Sequence, residues 1–189
     1  MGRLLDRDIR PVLLRYIRSL PNFEEGDCLI EEKSLANDTR VDVLHVKESG
    51  YLHGYEIKSD GDSWGKRWLR QRAAYPAVLP YNTVVTTGEM YKSFPYANWR
   101  NREARAWGTI VVQNNQISYR ANPPKSRCLC PHTILETLHK KEVAELSILH
   151  GIPVSRRAPK RDLVQAAAMY VPLHDILVKL AQSLITRYS

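Results

Sequence analysis

In "GYEIKSD", residues 54–60, a glutamate and a lysine stand two apart between an apolar run and a turn. In a strand, Glu56 and Lys58 would project from one face while Tyr55 and Ile57 take the other. Asp42 lies in "TRVDVLHV" between Val41 and Val43, where a carboxylate is expensive to bury unless something pairs it. Glu31 and Glu32 stand in a further apolar run, "CLIEEKSL". Three neighbouring strands would then each offer a carboxylate, and one adds an ammonium. This donor set suits a hard divalent cation: Mg²⁺ takes oxygen ligands, uses one or two protein carboxylates, and keeps waters and substrate phosphate oxygens. Such a metal acidifies a water and neutralises the charge that develops on a phosphodiester under in-line attack. Lys58 would orient that water or stabilise the transition state. A lone Glu-x-Lys is as readily a solvated cross-strand ion pair, so the weight rests on the whole constellation.

Periodicity places these residues on elements. "DIRPVLLRYIRSL" sets Ile9, Val12, Leu13, Tyr16, Ile17 and Leu20 at helical spacing, with Asp8 as N-cap and Pro11 in the first turn. Pro21 and Gly26 then break the helix. "CLIEEKSL", "RVDVLHV" and "YLHGYEIKS" read as strands, the last two joined through "KESG" as an antiparallel hairpin. "SWGKRWLRQRAAYPAVL" returns to helical spacing, with Trp64, Trp68, Ala74 or Tyr75, and Val78 inward. "YNTVVTTGE" and "WGTIVVQ" are further strands, and "NNQ" turns the latter back into "ISYRA". This order predicts an α/β fold, a central mixed β-sheet flanked by helices on both faces.

After "ANPPKS" the sequence turns helical. "TILETLHKKEVAELSILHG" reads as one amphipathic helix ending at Gly151, followed by "IPVSRRAPKRDLVQAAAMY" and "PLHDILVKLAQSLITRY". A boundary near residues 122–130 divides the chain into a domain of residues 1–125 and a small helical C-terminal module of residues 126–189.

"RVDV", a short hairpin and then "YEIKSD" resemble the PD-(D/E)XK nuclease superfamily, which has the restriction-endonuclease-like α/β/α fold. On that resemblance Asp42 matches the motif's aspartate, Glu56 its second acid and Lys58 its lysine; the proline of the family's name is replaced by Val41. "QRAAY" gives Gln71 and Tyr75 the Q-x-x-x-Y spacing of RecB-like members, whose helix residues face the site and help hold substrate or the lysine. "EEKSL" resembles the E-x-x-L form of small bacterial and phage members, which implies Glu32 as the upstream acid. Strand alternation alone says only that one of Glu31 and Glu32 faces the site. The resemblance covers about residues 5–122 and extends through "RANP". It implies a Mg²⁺-dependent deoxyribonuclease, with Mn²⁺ able to substitute. Asp42, Glu56 and Glu32 would be metal ligands. The alternative is a non-catalytic DNA-binding or adaptor protein that keeps the fold without turnover.

The C-terminal segment "AELSILHGIPVSRRAPKRDLVQAAAMY" resembles the SAP-like helix–extension–helix module, which implies that Arg156, Arg157, Lys160 and Arg161 meet DNA phosphates. Other candidates rank lower. Cys128, Cys130 and His132 have no second ligand pair at zinc spacing beyond His139 and read as structural. His45 and His53 read as structural strand histidines, and Asp60 and Asp62 as caps of the following helix. Arg67, Arg70 and Arg72 fit an exposed helical face as well as a phosphate contact, and most tyrosines fit the core.

Lysine and arginine number 28 against 20 acids, a net charge of +8, which favours a polyanionic partner. DNA of either strandedness leads, with an anionic membrane surface far behind. No run is long and apolar enough to span a bilayer, and "MGRLLDRDIRPVLL" lacks a signal peptide's apolar core. Three cysteines, an odd number, suit a reducing compartment, and the expected location is cytoplasmic. A homodimer, and a protein partner from a phage, defence or repair system, are compatible with the sequence.

Overall fold

The computed structural model of the chain describes residues 3–94, 107–155 and 157–188. Its framework is one six-stranded mixed sheet in the order β1 to β6. The strands are β1 (Cys28–Ser34), β2 (Arg40–Val46), β3 (Leu52–Lys58), β4 (Tyr81–Thr87), β5 (Trp107–Gln113) and β6 (Gln116–Ala121). β1, β2 and β3 run as an antiparallel meander. β4 and β5 then pair parallel to β3, and β6 returns antiparallel to β5. The fold is α/β with helices on both faces, as the order of periodicities predicts.

Alternating side chains send two separate cores to the two faces. On one face α1 (Asp6–Arg18) lays Ile9, Val12, Leu13 and Ile17 on Val43, Tyr55, Ile57, Val85, Ile110 and Val112. On the other face α2 (Lys66–Ala74) and the C-terminal helices pack on Leu44, Val46, Leu52 and Val84. The C-terminal helices are α4 (Pro131–Glu136), α5 (Lys140–Leu149), α6 (Lys160–Tyr170) and α7 (Leu173–Tyr188). A short α3 (Gly88–Lys92) follows β4 directly, capped by the Thr87 hydroxyl on the Met90 N–H.

The predicted break near residue 125 falls in an extended link between β6 and α4. That link is stitched to the segment between α2 and β4: the Ser126 N–H donates to the Pro80 carbonyl at 2.7 Å, and the Cys130 N–H to the Ala77 carbonyl at 2.8 Å. One hydrophobic cluster runs from β1, β2 and β3 through Trp68 and Tyr75 into Ile134, Leu163, Leu177 and Leu180.

Three local expectations are corrected. Asp8 is not the N-cap of α1; Leu5 is, and the Asp8 carboxylate reaches back from the first turn to accept the Leu5 N–H at 2.9 Å. Pro11 consequently falls in the second turn. The predicted helix over "TILETLHKKEVAELSILHG" is two helices, α4 and α5, because the His139 N–H is taken by Glu142 at 2.6 Å, which starts a new N-terminus in mid-segment. Gly151 does follow α5, at φ 67°, in the left-handed region that a helix C-terminus favours. Finally, Asp60 and Asp62 cap no helix. Asp60 accepts the Leu4 N–H at 2.8 Å and the Thr87 hydroxyl, tying the N-terminal segment to β4. Asp62 accepts from the Ser59 N–H and hydroxyl, closing the turn after β3.

Candidate active site

β3 is buried along all seven residues, with sheet partners on both sides. Its C-terminal half presents Glu56 and Lys58 away from α1, toward α2, and both are almost fully buried. Two charges in so dry a place need partners. The Lys58 Nζ donates to Glu56 Oε1 at 2.7 Å and to Gln71 Oε1 at 3.2 Å. It also lies 5.8 Å from the centre of the Trp68 ring. Gln71 passes the chain on, its Nε2 donating to the Tyr75 hydroxyl at 3.3 Å. That hydroxyl donates to the second Glu56 oxygen at 2.6 Å and lies against the Arg40 carbonyl. Spacing of four on α2 and the following turn sets Gln71 and Tyr75 one above the other over β3. A closed ring results: lysine, glutamate, tyrosine and glutamine.

Asp42 joins from β2. The β2–β3 register pairs Val43 with Tyr55, so one step further brings Asp42 opposite Glu56. There the Asp42 Oδ2 accepts the Ile57 N–H at 2.7 Å, taking the place of a backbone carbonyl in the ladder. Asp42 is 6% exposed. Burial, then the neighbouring charge of Glu56, push its carboxyl up to about 7, against the opposing pull of the Ile57 N–H and Lys58. Burial and the Glu56 carboxylate also raise the Tyr75 hydroxyl, which stays a neutral donor.

Glu32 does not enter this ring. It sits at φ 54°, the left-handed region, at the point where β1–β2 pairing skips a residue between Glu31↔Val43 and Lys33↔Val41. Its carboxylate is spanned by two arginines, Arg10 at 2.7 Å and Arg40 at 2.8 Å. Arg10 also reaches Glu31 at 3.2 Å, Asp6 at 2.8 Å and the Asp42 carbonyl at 2.9 Å. Arg10 thus holds both upstream acids and the backbone of Asp42 from α1. Sequence spacing passes it over; its one local signal is the i, i+4 relation to Asp6.

The C-terminal cations divide. Arg157 and Arg161 are exposed, and Arg161 meets Asp162 at 3.2 Å. Lys160 fastens α6 to α4, donating to the Glu136 carbonyl at 2.7 Å. Arg156 lies outside the described residues. On α2, Lys66, Arg67 and Arg70 are exposed, whereas Arg72 is buried. His45 and His53 face α1, on the opposite side of the sheet from Glu56 and Lys58: His45 meets Asp27 at 2.8 Å and His53 meets Thr83 at 2.8 Å.

Among the described residues no group of three or more His, Cys, Asp or Glu side chains gathers as a cation site. Asp42 and Glu56 nevertheless fit a hard divalent ion in kind and number. They are two buried carboxylates on adjacent strands whose mutual repulsion helps hold a proton on Asp42 to about pH 7. Water and phosphate oxygens would make up the remaining ligands.

No family model and no curated protein matches the sequence. A solved structure is similar at low level: the SPO1766 protein of unknown function from Silicibacter pomeroyi. Its identity is 14% and its TM-score 0.45, over 84% of this chain and 100% of that one.

Proposed function

We propose that the protein is a metal-dependent nuclease that hydrolyses DNA phosphodiester bonds, with Asp42 and Glu56 holding Mg²⁺. The observation that carries this reading is the facing pair of buried carboxylates on β2 and β3, with Lys58 clamped beside them by Glu56 and Gln71. When bound, the ion would lower the pKa of a water and neutralise charge on the phosphoryl oxygens. The chain's own groups do the rest. An ammonium has three N–H donors, and Glu56 and Gln71 take two of those on Lys58, leaving one for the attacking water or a phosphate oxygen. Tyr75 and Gln71 fix the rotamers of Glu56 and Lys58, so neither reacting group must be ordered at the moment of attack. Exposed cations on α2 and at Arg157 and Arg161 supply sequence-blind attraction to a phosphate backbone.

One observation favours a second reading, a DNA-binding or adaptor protein without turnover. Both Glu56 oxygens are already engaged, one by Lys58 and one by Tyr75, so the ring is satisfied without a metal. Cleavage of single- and double-stranded DNA with Mg²⁺ or Mn²⁺ separates the two. The nuclease reading expects cleavage by the wild type, lost in Lys58→Ala and Asp42→Asn. DNA binding without cleavage under either metal supports the adaptor, and equal cleavage by all three proteins removes the site from consideration.

A further inference from the structure

The other face of β3 carries a second polar cluster, at the opposite end of the strand from Lys58. Beneath the C-terminal end of α1 a cavity of about 390 Å³ opens among Tyr16, Tyr51, His53, Tyr55, Tyr81 and Arg120. That size lies within the roughly 300–1,000 Å³ of small-molecule sites. Its walls are aromatic. His53 stacks on Tyr55 at 4.1 Å, and Tyr51 lies 5.1 Å from Tyr81 at 30°. No carboxylate is among the described residues that line it.

The hydrogen bonds inside do not balance. His53 Nε2 is matched by the Thr83 hydroxyl at 2.8 Å. Its Nδ1 faces two phenols, Tyr51 at 2.9 Å and Tyr55 at 3.1 Å. If Nδ1 carries a lone pair, it accepts one phenol proton and leaves the other; if it carries the hydrogen, both phenol protons are left over. In either tautomer at least one tyrosine O–H is surplus. Burial holds the imidazole neutral, down to about 3, and pushes Tyr51 up to about 12, so proton loss does not remove the surplus. At the mouth Arg120 is exposed and donates through Nη1 to the Tyr16 hydroxyl at 2.9 Å, with its other N–H groups turned to no described partner. Aromatic walls, a surplus phenol donor and a rim cation with no acidic partner among the described residues call for one kind of ligand. It has a flat ring with a hydrogen-bond acceptor and carries an anionic group.

We propose that this pocket binds a mononucleotide, its base among Tyr51, Tyr55 and Tyr81 and its phosphate at Arg120. The site is independent of the nuclease reading, since it uses the other face of the sheet and none of the Asp42, Glu56 and Lys58 set.

The test is calorimetric titration of the full chain in EDTA with deoxynucleoside 5′-monophosphates, beside the matching nucleosides and inorganic phosphate. Saturable binding of at least one nucleotide is expected, with the nucleoside weaker and phosphate weaker still. Arg120→Ala, a change at an exposed position, should weaken the nucleotide about tenfold and leave the nucleoside unchanged. Tyr51→Phe removes one phenol and with it the surplus proton, and should weaken nucleotide and nucleoside alike by several-fold. The proposal is overturned by absence of nucleotide binding at millimolar concentration, by phosphate binding as tightly as nucleotide, or by wild-type affinity in both Arg120→Ala and Tyr51→Phe.

Discussion

Asp42 ties the proposed chemistry to folding. Its ordinary pKa near 3.8 rises to about 7 in the folded chain, so between those values the native state keeps a proton that the unfolded state has lost. The stabilisation from that proton is full below about pH 4 and is lost as pH rises through about 7, an effect on the order of a few kcal/mol. Asp42→Asn keeps an acceptor for the Ile57 N–H and never ionises. Its melting temperature should therefore match the wild type near pH 4 and exceed it by several degrees at pH 8, as followed by circular dichroism. Millimolar Mg²⁺ at pH 8 should raise the wild-type melting temperature and leave that of Asp42→Asn unmoved, a readout of the metal that does not depend on turnover. Tyr75→Phe removes the donor to one buried Glu56 oxygen and the acceptor for Gln71 Nε2, and should cost about 1–3 kcal/mol in denaturant unfolding, with the Lys58 bonds to Glu56 and Gln71 intact. Strand period two made the shared face of Glu56 and Lys58 legible, while Gln71 and Tyr75 were picked out through the family resemblance and Asp42 through its place between valines. The contacts that aim Glu32 were not legible. Its direction depends on a left-handed backbone and on Arg10 arriving from a helix 22 positions earlier, and no local period encodes either.

Among the elements, the hairpin and the β5–β6 return were readable because turn residues interrupt alternating runs. The break between α4 and α5 was not, since amphipathic spacing continues across it while one carboxylate, Glu142, restarts the hydrogen-bond pattern. The close pass of the chain after β6 was equally invisible. A Cβ on Gly108 would stand 2.6 Å from the Ala121 carbonyl oxygen and 2.7 Å from the Pro123 nitrogen, both backbone atoms with little freedom to yield. Gly108→Ala should therefore destabilise by about 1–3 kcal/mol, seen as a lower urea midpoint with unchanged slope. The cavity at Arg120 sits just beyond this crossing, so the same variant is expected to weaken nucleotide binding as well.

For the molecule as a whole, the C-terminal helices complete a core. Ile134, Leu135, Leu163, Leu177 and Leu180 share one cluster with Leu44, Val46 and Leu52 of the sheet. A fragment ending at residue 125 would uncover that face, and should be insoluble or lack a cooperative melting transition. The surface has its own test. Arg157→Ala with Arg161→Ala should reduce the slope of log affinity for DNA against log salt by about 2, since each phosphate contact contributes about 0.9. An unchanged slope assigns DNA attraction to the exposed cations of α2 instead.

β3 carries one proposed site on each face, with Glu56 and Lys58 on one side and His53 and Tyr55 on the other. Point substitutions can silence either site and spare its neighbour. Insertion or deletion of a single residue within Leu52–Lys58 cannot, because it exchanges the two faces of every residue beyond the change. The lysine would meet the apolar floor of α1 and a tyrosine or isoleucine would meet Gln71. Length variation in this strand is therefore closed to the protein, while the two proposed sites stay free to be gained or lost separately by single substitutions.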